Sequence, residues 1–446
     1  MKLTTTMSWL AAALLLGASV PGCGGDTAKK SDSATGGGGG AAGSDTSGTS
    51  SGGSSADSSV GGTSGDSTTT PADANCTAEE EAQTPTLFEP DNSMIQYMGR
   101  IDFTNPKAPV FSAGGVTISA KFRGSSVTVH LKDQTNYNYY DVLIDGTRVV
   151  NTTKFASFSI DLVGGKTAYP ITVAGGCKDH TITLVKRTEA AIGNTVFQGF
   201  EVAKLLPLDP LSTRRIEVIG DSITAGAGVE GENGNVNECP NGGSDWGLAT
   251  NARLAWGTLV AQTLNAQVNT AGVSGIGLTR NYSSQYDARP MPEVYDNLYL
   301  ESKTSPVWDT TKYVPDALLI ALGTNDFSPG DSPASAPRPI MTVDTFSTAY
   351  IAFIDTLHGY YPNAKIFVVG SPMLGDGWPD ATYASRTDHI TALQAVASHY
   401  ANTAPSVTYV PVTHLSGLGC GTHPNPEQQA YNAKEIAKVV KTTMGW

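Results

Sequence analysis

The hydrophobic rhythm of this chain changes once, near residue 213, and that change limits the folds open to it. Before it, residues 116–122, 126–131, 139–144 and 180–185 alternate apolar and polar side chains. A period of two sets one face of a strand on a core and the other in water. Turn residues separate these runs, as at Asp145-Gly146 and Gly175-Gly176, with no helical period between them. Short strands so spaced predict an all-β sandwich or jelly roll. After the change, residues 216–219, 268–269, 317–322, 366–369 and 407–412 are apolar runs without strict alternation. Strands buried on both faces read this way. Leu254, Leu259, Val260 and Leu264 form one helical face between them, and Phe346, Ile351, Ile354 and Leu357 form another. The expectation is a β domain over 76–207 and a three-layer α/β domain with a parallel sheet over 208–446, joined at Pro207-Leu208-Asp209-Pro210.

The first 75 residues fit neither domain. Residues 1–22 read as an export signal: Lys2 gives a positive start, and residues 10–20 are apolar. The stretch is shorter than the about 20 apolar residues that span a bilayer. It ends in Val20-Pro21-Gly22-Cys23. A small residue directly before a cysteine resembles the lipobox of bacterial lipoproteins, which implies lipidation at Cys23; ordinary cleavage near Gly22 is the alternative. Gly24, where an aspartate would stand otherwise, resembles outer-membrane sorting. The expected location is therefore the outer membrane or cell surface, with secretion as the other outcome. Residues 24–75 hold one large apolar residue, Val60, among Gly, Ser, Thr, Ala and Asp. Such a segment buries no core and predicts a flexible tether spanning roughly 40 Å.

Net charge is −13, with no long basic cluster. That argues against nucleic acid or an anionic membrane surface as partner, leaving a lipid anchor as the membrane contact. Setting Cys23 aside, Cys76, Cys177, Cys239 and Cys420 remain, an even number suited to an oxidising compartment. Three connectivities are possible. Cys239 with Cys420 is favoured, because Cys239 follows Ser222 on its loop and Cys420 stands three residues before His423. Cys76 then pairs with Cys177. No close-spaced Cys or His pairs suggest a metal site, and no cofactor is implied.

The candidate chemistry lies at the ends of the buried runs. Gly220-Asp221-Ser222 follows the first, residues 272–275 the second, Gly323-Thr324-Asn325-Asp326 the third, and His423 the last. His423 stands just ahead of a helix start, with Asn425 as cap, Pro426 at the first position and Gln428 three residues after the cap. In open parallel sheets the carboxyl ends of the strands hold the site. A serine hydroxyl needs a base to act as nucleophile, and histidine is the usual one. The oxygen of an attacked ester carbonyl becomes negative and needs fixed donors. The amides of Ser222 and Gly275 and the side-chain NH2 of Asn325 are the candidates; glycine at 275 lets the backbone approach closely.

These four blocks, in this order over residues 215–446, resemble the SGNH (GDSL) hydrolase superfamily. The match narrows at Ser274-Gly275-Ile276-Gly277-Leu278, Arg280-Asn281-Tyr282, Met291-Pro292 and the run from Cys420 to Asn425, which resemble carbohydrate esterase family 2. That resemblance implies a jelly roll ahead of the hydrolase domain, and removal of acetyl groups from xylan or mannan. It implies Ser222 as nucleophile, His423 as base, and Ser222, Gly275 and Asn325 as the oxyanion hole. Most of the superfamily has an aspartate three residues before the histidine; here Cys420 occupies that position, and no carboxylate lies in the preceding twenty residues. Some family members use a backbone carbonyl instead, so the expectation is a Ser-His dyad.

Other residues have narrower claims. His414 is a rival base without the proline and cap that follow His423. Asp221 and Asp326 read as turn supports. Arg280, Tyr282 and Trp378 could meet a sugar, or be a solvated charge and packing rings. A lipase or thioesterase of the same superfamily is the competing enzyme, and a surface glycan-binding protein the non-catalytic reading.

Overall fold

The computed structural model describes residues 75–446, apart from 136, 154–155, 158–166, 232–238, 240–245, 284–288, 301–303 and 333–337. The export signal, Cys23 and the Gly/Ser/Thr tether lie outside the described residues.

The alternating half folds as two large antiparallel sheets and a small two-stranded one, Val150–Thr153 with Ala156–Ser157. One large sheet runs in the order Thr86–Phe88, Thr195–Val202, Ser126–Asp133, Ala168–Thr172, with Val110–Phe111 beside Thr195–Val202. The other runs Lys204–Leu206, Thr117–Gly124, Lys178–Lys186, Tyr140–Ile144, Thr147–Arg148, with Ile95–Met98 on Thr117–Gly124. Period two now has its cause. Val127, Val129 and Leu131 point inward from the first sheet, and Ile118, Ala120 and Phe122 from the second. Cys76 is bonded to Cys177, tying the start of the domain to the turn before Lys178–Lys186.

The second half is a parallel sheet of β1 (Arg215–Gly220), β2 (Gln267–Gly272), β3 (Ala317–Ala321), β4 (Lys365–Val369) and β5 (Val407–Val410), in the order β2-β1-β3-β4-β5. Helices α2 (Trp256–Thr263) and α6 (Pro426–Met444) cover one face, against Ile216, Val218, Leu319 and Phe367. Helices α4 (Val343–Tyr360) and α5 (Ser385–His399) cover the other, against Leu318, Ile320, Ile366 and Val368. Both faces are dry, so these strands show no alternation. The chain steps from β1 to β2 on one side, then to β3 on the other. That reversal opens a crevice at the carboxyl ends of β1 and β3.

One local expectation shifts. Leu254 lies in a 3-10 turn, Ala252–Leu254, because Asn251 accepts from the Arg253 amide and bends the chain before α2 begins. Helix α5 packs mainly through Ala392, Leu393, Val396 and His389, too few large apolar residues to give a clear stripe in the sequence.

The β domain and the α/β domain share one compact unit. Arg100 from the β domain reaches Glu217 on β1 at 2.9 Å, with both side chains fully buried. Its guanidinium also donates to Tyr295 O and lies 4.6 Å from the Tyr295 ring centroid. Nearby, Asp141 meets Arg148 at 2.8 Å and Arg253 at 2.5 Å, while Glu230 meets Arg148 and Arg187. Among the described residues no helix is long and apolar enough to cross a membrane.

Candidate active site

Four strand ends converge on one crevice. After β1, Asp221 caps the one-turn helix α1 (Ser222–Ala225), its carboxylate accepting from the Ile223 amide at 3.0 Å. Burial pushes the Asp221 carboxyl up to about 6, against its bonds to Thr324 and Ile223. Asp221 therefore supports its own turn, as expected. Ser222 opens α1, so its amide N–H has no acceptor within the helix. Its side chain is 8% exposed.

After β2 the chain turns at Gly275, whose φ of +74° is the left-handed region that glycine tolerates. The preceding amide, that of Ser274, donates to Glu189 of the β domain at 2.6 Å. After β3, Gly323 at φ +125° starts helix α3 (Thr324–Phe327). A side chain there would also strike His389, whose Nε2 would lie 2.4 Å from its Cβ. His389 donates through Nε2 to Leu322 O at 3.0 Å, and burial drives its pKa down to about 4.

Asn325 is buried and donates one amide hydrogen to Ile276 O at 2.7 Å. An amide nitrogen has two hydrogens, so the second remains for the crevice. This bond also ties the loop after β3 to the loop after β2. Asp326 strengthens the tie. Its carboxylate accepts from the amides of Leu278, Thr279 and Arg280 and from the Thr279 hydroxyl, at 2.7–3.1 Å. Asp326 thus supports a neighbouring loop rather than only its own turn.

His423 arrives from the segment after β5. Its Nε2 lies 2.8 Å from Ser222 Oγ. Its Nδ1 lies 3.2 Å from both Cys420 O and Gly421 O. Carbonyl oxygens only accept, so Nδ1 carries the proton and Nε2 is the basic nitrogen facing the hydroxyl. Burial holds the ring below the ordinary imidazole value, opposed by the two carbonyls. Cys420 is bonded to Cys239, which anchors one of those carbonyls. The Trp246 and His423 rings meet in a T-shaped contact, their centroids 5.6 Å apart and their planes at 84°, which helps to hold the imidazole. The segment ends where Asn425 caps α6 through a full capping box with Gln428.

The structure pairs Ser222 with His423, ties Asn325 to the loop that carries Gly275, and sets β1 between β2 and β3, the strands that lead into those loops. It places other candidates elsewhere. Arg280 donates to Asp326 O and Pro339 O, so its guanidinium braces two loops rather than offering itself to a sugar. Tyr282 is half-buried, with its amide on Gly275 O at 2.7 Å, and so supports the Gly275 turn through its backbone. Trp378 is 63% exposed on the loop after β4. His414 donates to Pro372 O at 3.0 Å and does not share the Ser222 hydroxyl. Sequence reasoning missed Trp246 and Glu189, which have no local motif and reach the site only through the fold. Among the described residues no group of three or more His, Cys, Asp or Glu is placed to hold a metal ion.

Comparison with known proteins agrees with this fold. Residues 97–209 match the carbohydrate esterase 2 N-terminal family, and residues 218–431 match the GDSL-like lipase/acylhydrolase family. The cellulase/esterase CelE of Acetivibrio thermocellus is 31% identical over 82% of this chain, which spans 41% of that protein's length. An acetylxylan esterase / glucomannan deacetylase of Cellvibrio japonicus is 26% identical over 79% of the chain and 89% of its own. A family two carbohydrate esterase from Clostridium thermocellum, solved with cellohexaose, superposes with a TM-score of 0.65 at 28% identity, over 79% of this chain and 99% of its own. The chain therefore joins a carbohydrate esterase 2 N-terminal domain to a GDSL-like hydrolase domain, the build of the family two carbohydrate esterases it resembles, and is a carboxylic ester hydrolase.

Proposed function

We propose that this protein is a carbohydrate O-acetyl esterase that removes acetyl groups from plant polysaccharides such as xylan or glucomannan through an acyl-enzyme on Ser222. The observation that carries the reading is the 2.8 Å contact between Ser222 Oγ and His423 Nε2, with Nδ1 committed to two carbonyls. His423 Nε2 takes the Oγ proton as Oγ attacks the acetyl carbonyl carbon. The carbonyl oxygen becomes negative and is met by the amides of Ser222 and Gly275 and the free amide hydrogen of Asn325, each donor worth roughly 3–4 kcal/mol of barrier. Collapse breaks the ester bond, and the sugar oxygen leaves with the proton from His423. Water then gives its proton to His423, attacks the acetyl-serine, and acetate departs as Ser222 recovers its hydrogen.

The substrate class is supported by the relatives, one named for acetylxylan and glucomannan and another solved with cellohexaose. Exposed Trp378 is a candidate platform for a pyranose face. Acetate release from acetylated xylan, acetylated glucomannan, monosaccharide acetates and long-chain acyl esters tests the reading. The polysaccharide acetates should be hydrolysed and the long-chain esters left intact. Preference for long acyl chains would favour the lipase reading, and no ester hydrolysis at all would favour a glycan-binding protein.

Residues 1–75 support export and attachment through a lipid on Cys23, with the tether carrying the enzyme away from the membrane. Metabolic labelling with an alkyne fatty acid should mark the protein in membranes, and Cys23→Ala should abolish the label. An unlabelled parent would point to secretion.

A further inference from the structure

The segment from Lys186 to Glu189 is where the β domain grips the other domain. Arg187 O accepts from the Ala252 amide at 2.9 Å, and its guanidinium donates to Thr250 O and Leu248 O. Lys186 is fully buried, with Nζ donating to Thr188 O at 2.7 Å and to Thr188 Oγ1 and Glu189 O at 3.2 Å. That side chain fixes the backbone of the very residue whose side chain crosses the seam. Glu189 is 5% exposed and accepts from the Ser274 amide at 2.6 Å. The next residue is Gly275. The far side of the same loop is held by Asn325 through Ile276 O and by Asp326 through residues 278–280. The hydrolase domain therefore clasps this loop from one side, and a carboxylate of the β domain clasps it from the other.

We propose that Glu189 is a positioning residue for ester hydrolysis: it holds the Val273-Ser274 peptide, the unit just before the one that carries the Gly275 N–H, so that the Gly275 amide points at the developing oxyanion. This gives the β domain a part in the chemistry of the neighbouring domain, whether or not it touches glycan. The inference rests on the proposed acyl-enzyme reading, because a donor needs aiming only if an oxyanion forms. Burial raises the Glu189 carboxyl above its ordinary value, with the Ser274 donors and Lys186 opposing, as expected of an acceptor sealed at a domain seam. A donor moved by about 1 Å costs a reaction roughly 10²-fold.

Two near-isosteric variants of the full chain test this. Glu189→Gln keeps an oxygen at the same reach, and Glu189→Asp withdraws it by one methylene. Rates on an aryl acetate are referred to the number of serines titrated with a fluorophosphonate. Glu189→Asp should lose about 10- to 100-fold in kcat per titrated site, with KM within about threefold, and Glu189→Gln should keep kcat within about threefold of the parent. Parent-like kcat per site in Glu189→Asp overturns the proposal, including when the variant folds poorly and only fewer sites titrate. Equal losses in both variants, or a change in KM alone, also overturn it. If the parent itself hydrolyses no ester, the acyl-enzyme reading has failed, and the inference falls with it.

Discussion

At the residue scale, the proposed base is defined by what His423 Nδ1 touches. Two carbonyl dipoles set the tautomer and the ring plane, but they supply no full charge for the imidazolium that forms during attack. Ring burial adds to this by favouring the neutral form. A base acts only when neutral, and a lowered pKa keeps the ring neutral at lower pH. The acid limb of kcat/KM should therefore fall below the unperturbed value of about 6.5, measured on a neutral aryl acetate. A limb well above that value would mean that a carboxylate or another anion faces the ring. Asn325→Ala should lower kcat by roughly 10²- to 10³-fold with a small change in KM, since one oxyanion donor is removed. These residues were legible because each stands at the end of an apolar run within a short motif. Glu189 was not: its partner Ser274 is 85 residues away, and nothing beside it in the chain signals that contact.

At the element scale, the site depends on loops that brace one another. The Asp326 carboxylate gathers three backbone amides, and deleting it leaves buried N–H groups unpaired at a cost of about 1–3 kcal/mol each. Asp326→Ala should lose a few kcal/mol in urea unfolding, together with activity. An unchanged midpoint would show the loop to be held by other means. The Cys239–Cys420 bond anchors a carbonyl that orients His423, whereas Cys76–Cys177 lies in the β domain. Replacing the first pair with serines should lower kcat about tenfold, and replacing the second should leave kcat within about twofold. Equal effects on kcat would remove the link between that disulfide and the base. The strands behind these loops were readable from the change of period near residue 213. Helix α5 was harder to read, because small and polar residues do most of its packing.

At the scale of the whole molecule, two domains legible as separate rhythms are fused by charges that sequence patterns do not pair. Arg100 and Glu217 are both sealed from water. Arg100→Met alone should cost about 3–5 kcal/mol, because the Glu217 carboxylate is then buried without its partner. Arg100→Met with Glu217→Leu should recover much of that loss, since an apolar pair of similar volume is often neutral or better. Thermal or urea unfolding of the three proteins checks this, and a double variant no better than the single would contradict it. One fused unit also explains how a β-domain carboxylate can act on a loop of the hydrolase domain. The central claim remains that Ser222 Oγ is the atom that receives the acetyl group. It is tested most directly by acetate release from acetylated xylan by the parent and by Ser222→Ala at equal concentration. The account predicts steady release by the parent and a fall of about 10⁴-fold or more in the variant. A Ser222→Ala protein as active as its parent would contradict it.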